Sequence, residues 1–152
     1  MLETMENRWS ESVAVAQRGS LEFARRRDPV ERMVLVVEDD EDIAEMLCYA
    51  LVRKGVRVAV AHDGLTAMAL AENLRPDLML LDVMLPRLDG LAVCRSIRGH
   101  QDRELARLPV VMLSALSTPD DIERGMAVGA NAYFCKPYTV RDVVAATLEW
   151  LG

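Results

Sequence analysis

Met33-Val34-Leu35-Val36-Val37-Glu38-Asp39-Asp40 is the stretch that decides the fold. Five apolar, largely β-branched residues in a row read as a strand buried on both faces, the habit of a parallel sheet covered by helices. Asp40 to Arg53 then carries Ile43, Met46, Leu47, Ala50 and Leu51 on one helical face, and Gly55 closes that helix. Working outward, the same unit recurs. Val56 to Ala61 reads as a second strand, with a helix from Leu65 to Leu74 stopped at Pro76. Asp77 to Leu81 is a third strand ending at Asp82, followed by a helix from Leu88 to Ile97. Pro109 to Leu113 is a fourth, ending at Ser114, followed by a helix from Pro119 to Val128. Ala130 to Cys135 is the fifth strand, and Thr139 caps a last helix to Leu151. Five strand–helix units predict an α/β fold, a doubly wound five-stranded parallel sheet with helices on both faces. Right-handed crossovers leave few strand orders open.

Composition agrees with one domain plus an appendage. The chain has 152 residues, 51% of them hydrophobic, which is too apolar for disorder at a net charge of −6. No apolar run approaches the ~20 residues of a membrane span, and the N-terminus lacks a signal peptide's apolar core. A soluble cytoplasmic protein is expected. The acidic balance argues against direct nucleic-acid binding. Cys48, Cys94 and Cys135 are odd in number and widely spaced, so buried free thiols are expected. Residues 1–30 differ in texture. Leu2, Met5, Trp9, Val13, Ala16, Phe23 and Ala24 recur near helical spacing, which predicts an N-terminal helical extension ending before Pro29.

Ligands in open parallel sheets bind beyond the carboxyl ends of the strands. The first strand ends in Glu38-Asp39, the third in Asp82, the fourth in Ser114 and the fifth in Lys136-Pro137. Asp40, Glu41 and Asp42 are explained by the positive end of the helix they open. Glu38 and Asp39 are not, and they would crowd Asp82 unless a cation intervenes. Hard oxygen ligands around an open position suit Mg²⁺. Lys136 is one of only two lysines beside sixteen arginines. A carboxylate nucleophile beside Mg²⁺, a hydroxyl and an ammonium is a phosphoryl-acceptor site.

Four segments in order carry a resemblance: Val34 to Asp40, Leu80 to Gly90, Val111 to Ala115, and Gly129 to Pro137. Together they resemble the receiver domain of two-component response regulators, over residues 31–152. The resemblance implies a (βα)5, flavodoxin-like sheet of order 2-1-3-4-5. It implies that Asp82 is the phosphoacceptor, supplied by a histidine kinase or phosphotransfer protein. Asp39 would bind Mg²⁺ directly and Glu38 through water, with Asp82 and the Met84 carbonyl completing the set. Ser114 would hydrogen-bond the phosphoryl oxygen, Lys136 would pair with it, and Lys136-Pro137 would be cis. Tyr133 matches an aromatic switch on the face formed by the helix from Pro119, the fifth strand and the last helix, where a downstream protein target would bind.

Several residues depart from that pattern or have plainer readings. Ala130-Asn131-Ala132-Tyr133 lacks the paired acids of many DNA-binding relatives, which removes salt bridges used in their dimers. Met33, Met46, Met79, Met112 and Met126 fall at core spacing, and Cys135 reads as a buried strand thiol. His62 and His100 have no evident ligand partner in the sequence. An aspartyl-phosphate phosphatase wants an acid two residues past its nucleophile, and Met84 stands there, so no enzyme activity beyond self-catalysed phosphorylation and dephosphorylation is expected. A phosphorylation-independent adaptor, or a fragment of a longer regulator, is the alternative reading. The apolar stripe of residues 1–30 needs a cover, and a homodimer through that helix is favoured over docking on the chain's own receiver.

Overall fold

The computed structural model describes residues 31–152, so the expected N-terminal helix lies outside the described residues. Five strands form one parallel sheet: β1 (Met33–Val37), β2 (Arg57–Ala61), β3 (Leu78–Asp82), β4 (Val110–Ser114) and β5 (Ala132–Cys135). Their order is β2-β1-β3-β4-β5, as expected for a flavodoxin-like sheet. Six helices connect and flank them: α1 (Glu41–Val52), α2 (Gly64–Leu74), α3 (Gly90–Arg98), α4 (Arg103–Ala106), α5 (Pro119–Ala127) and α6 (Val140–Leu151).

Strand alternation divides the core into two layers. Met33, Leu35, Val37, Met79, Leu81, Val110 and Met112 face one side, against α2 and α3. Val34, Val36, Val58, Val60, Leu78, Leu80, Val111 and Leu113 face the other, against α1 and α6. Side-chain oxygens start the helices where the sequence supplies them. Asp40, Asp63, Asp89, Asp102, Thr118 and Thr139 are the N-caps, and Thr118 with Asp121 forms a reciprocal capping box.

Some expectations need correcting. Met46 and Met126 are 55% and 43% exposed rather than packed in the core. The buried stripe of α1 is Ala44, Leu47, Cys48 and Leu51, and Met46 falls just off it. Helix α5 buries only Gly125, where an added Cβ would press on the Tyr133 ring, so its neighbour Met126 faces outward. Cys135 is half-buried because β5 is an edge strand, whereas Cys48 and Cys94 are buried as expected. The short helix α4 is not foreshadowed by any apolar periodicity in the sequence. The third helix starts at Gly90 rather than Leu88, since Asp89 is its cap. Gly90 is also where the chain turns back on β3: its N–H donates to Val83 O at 2.8 Å, and a Cβ there would meet the Asp82–Val83 backbone.

Candidate phosphoacceptor and metal site

Parallel strands that end in register bring their following residues to one edge. Val37, Leu81 and Ala61 stand abreast, as do Asp82 and Leu113, and Ser114 and Cys135. Glu38, Asp82 and Ser114 are therefore neighbours though far apart in sequence, and they are 1%, 3% and 0% exposed. Few polar side chains are buried this deeply without a partner. The partner of the two acids is Lys136. Its Nζ donates to Glu38 Oε1 and to Asp82 Oδ2, both at 3.0 Å.

The remaining oxygens are oriented by backbone. Met84 N–H donates to Asp82 Oδ1 at 3.0 Å, which fixes the carboxylate plane between the β3 loop and Lys136. Asp40 N–H reaches Glu38 Oε2 at 3.3 Å. Leu116 N–H donates to Ser114 Oγ at 3.0 Å, and Tyr133 Oη donates to Leu116 O at 2.6 Å. The fourth strand's loop is thus tied to both the hydroxyl and the aromatic ring. The Lys136–Pro137 bond is cis, and Lys136 N–H donates to Ser114 O at 2.7 Å.

Charge in this pocket is unbalanced. Burial, and then the hydrogen bond and repulsion from Asp82, push Glu38 up from 4.5 to about 7, with Lys136 opposing. Burial pulls the Lys136 ammonium down, but its bonds to Asp82 and Glu38 outweigh that and hold it above the usual lysine range. Burial raises the phenols of Tyr133 and Tyr138. One ligand oxygen each from Glu38, Asp39 and Asp82 lie within 4.8 Å of one another, and Asp39 is the exposed member. Three carboxylates against one ammonium leave a deficit of positive charge that a hard divalent cation would fill, so the residues present fit Mg²⁺.

Every residue expected at the site except Tyr133 lies at this strand-end edge or in the loop that follows it. Tyr133 sits within β5 and reaches the edge through Leu116. Two further groups at this edge escape sequence reasoning. His62 Nδ1 sits 2.9 Å from Glu38 O, directly after β2, where its place following a strand is the one signal that points to it. The Tyr138 hydroxyl, two residues past Lys136, is buried with no hydrogen-bond partner among the described residues. His100 Nε2 lies 3.5 Å from Glu72 Oε1, away from this edge.

The family model for the response regulator receiver domain matches residues 34–148. The DNA-binding response regulator MtrA of Mycobacterium tuberculosis is 40% identical over 118 residues, covering 78% of this chain and 50% of that protein. The alkaline phosphatase synthesis transcriptional regulatory protein PhoP of Bacillus subtilis is 41% identical over 114 residues, covering 75% and 46%. The chain spans about half the length of the curated relatives it matches. Among solved structures, the receiver domain of the Francisella response regulator 1452 aligns with a TM-score of 0.73 at 27% identity, covering 80% of this chain and 97% of that one. The chemotaxis response regulator CheY4 of Vibrio cholerae aligns with a TM-score of 0.72 at 28% identity, covering 81% and 100%. No helix among the described residues is long and apolar enough to cross a membrane. With the sheet order, the strand-end acids and these matches in agreement, the chain belongs to the receiver-domain family of two-component response regulators.

Proposed function

We propose that Asp82 accepts a phosphoryl group from a phosphohistidine on a histidine kinase or a phosphotransfer protein. A carboxylate oxygen of Asp82 attacks phosphorus, the new O–P bond forms, the N–P bond breaks, and the departing imidazole nitrogen takes up a proton. Asp39, Asp82, the Met84 carbonyl and Glu38 (through water) would hold Mg²⁺, which supplies positive charge to the transferring group. Lys136 leaves its bridge to Glu38 and pairs with the phosphoryl oxygens. Ser114 Oγ turns from Leu116 N–H to donate to the same group. Because Tyr133 is hydrogen-bonded to Leu116, movement of the fourth strand's loop releases its ring, shifting the population of the α5–β5–α6 face towards a form that binds a downstream protein.

The observation that carries this reading is the ammonium of Lys136 shared equally between Glu38 and Asp82. A purely structural buried acid needs one cation, not a partner divided between two carboxylates with a third beside them. The reading makes the protein a cytoplasmic switch rather than an enzyme with a separate substrate, and it assigns residues 31–152 no nucleic-acid contact. Mass spectrometry after acetyl phosphate and Mg²⁺ tests it. The parent chain gains one phosphoryl group, and Asp82→Asn, whose fold is retained, gains none. Equal labelling of the two would overturn the assignment of the site, and labelling of neither would favour the phosphorylation-independent adaptor. Lys136→Ala is expected to label while losing the conformational response.

A further inference from the structure

A groove of about 400 Å³ runs between α1 and α6, on the face opposite α2 and α3. Its floor is apolar, with Ala50 from α1 and Val144 and Leu148 from α6, and the exposed Lys54 and Arg141 flank it. Neither Lys54 nor Arg141 has an ion-pair partner among the described residues. The groove is an apolar slot between two cations.

We infer that residues 2–13 of the same chain occupy this groove. Three independent observations select that occupant. The first is apolar content: Leu2, Met5, Trp9 and Val13 recur three or four residues apart and need burial against something. The second is charge: Glu3, Glu6 and Glu11 against the single Arg8 give this segment two excess acids, which suits a slot flanked by Lys54 and Arg141. Residues 25–27 are three arginines, so the complement belongs to the first half of the extension and not to the second.

The third observation is where the chain arrives. Arg32 Nε donates to Leu151 O at 3.4 Å, which places the entry to β1 at the end of α6, one turn from Leu148 on the groove floor. Residues 14–30 can span up to roughly 56 Å when extended, and the twelve-residue α6 is only about 18 Å long. The tether therefore reaches any point of the groove and holds the segment at high effective concentration beside it. Sequence alone favours a second copy as the cover. The structure provides a groove on the same chain, on the side where the extension enters. Charge and slot would suit the same segment of a second copy equally, and it is the entry point and the tether that favour the chain's own segment.

Trp9 is a built-in probe, since Trp150 is the only other tryptophan. In the full chain carrying Trp150→Phe, we expect a monomeric mass by light scattering, with Trp9 emission blue-shifted and protected from acrylamide. Lys54, Arg141 and Ala145 are exposed, so the charge reversal Lys54→Glu/Arg141→Glu and the groove-filling Ala145→Trp (combined with Trp9→Phe) should leave far-UV circular dichroism unchanged. The reversal should red-shift Trp9 and remove its protection. In the groove-filling chain, hydrogen exchange of residues 2–13 should rise relative to the parent. Trp9 exposed in the parent chain overturns the inference, as does protection that survives the charge reversal with exchange unaltered by the filled groove. Protection lost on dilution together with a dimeric mass also overturns it, and gives the stripe to a second copy.

Discussion

At the scale of single residues, Glu38 is a group whose protonation the fold controls strongly. It holds its proton up to about 7 in the folded chain against 4.5 ordinarily. Between those values the native state binds more protons than the unfolded one, so stability falls as pH rises through that window. Each tenfold change in proton affinity is worth about 1.4 kcal/mol, so the loss is roughly 1–3 kcal/mol once the coupling to Asp82 is allowed for. The raised Lys136 acts with the same sign in a higher window: its contribution is complete below the ordinary lysine value and is lost only as pH rises beyond it. Urea unfolding without divalent ions should therefore show a decline from about pH 4.5 to 7 that is absent in Glu38→Gln. The same proton must leave before Glu38 serves a metal, so Mg²⁺ should bind more tightly at pH 8 than at pH 6. Met84 gives a second prediction. Its side chain is 56% exposed, and it lines an apolar hollow with Val83, Leu85 and Leu116 beside Asp82. Neither Met84 nor Leu116 can orient water for in-line attack, so phosphoryl-Asp82 should hydrolyse slowly. Met84→Asn is expected to shorten its half-life, followed by loss of label after the phosphodonor is removed.

Elements are joined here by a few side chains as much as by packing. Arg98, at the end of α3, donates to Gly129 O, Ala106 O, Leu108 O and Asn131 Oδ1 at 2.7–3.0 Å. Asn131 Oδ1 also accepts from Val110 N–H at 2.8 Å. One guanidinium thus ties α3 to the turn after α4, to the start of β4 and to the turn before β5. Arg98→Ala should cost about 2–4 kcal/mol, because several part-buried carbonyls lose charged donors together. Arg98→Lys should recover little, since an ammonium lacks the planar fork of donors. The change in urea midpoint measures both. Nothing in the sequence announces this role, because its acceptors are three backbone carbonyls and one side-chain amide oxygen, spread from Ala106 to Asn131. The strands are legible for the opposite reason. Each is a short apolar run whose two faces are both buried, and the acceptor residues fall within two positions of a strand end. Met46 is misplaced by periodicity because the apolar positions of α1 span more than one stripe. Only the position of the sheet decides which stripe is inside.

For the molecule as a whole, Mg²⁺ held at the strand-end acids would link folding to metal binding. A cation held only by the native chain adds RT ln(1 + [L]/Kd) to stability, about 2.7 kcal/mol at a hundredfold excess over Kd. Differential scanning calorimetry should show Tm rising with Mg²⁺ and falling back with a chelator. The exposed Asp39 can be altered without disturbing the core, so Asp39→Asn should keep the apo Tm and lose most of the response. The contact between Arg32 and Leu151 has a consequence of another kind. It makes the receiver a loop in the topologist's sense, with its two ends at one corner and Asp82 at the far margin of the sheet. A segment joined before residue 31 and one joined after residue 152 would leave from adjacent points. Such a body can be spliced into a longer polypeptide as a nearly closed insert, hinged at a single spot. News of the phosphoryl group would then have to cross the width of the domain to reach anything attached there.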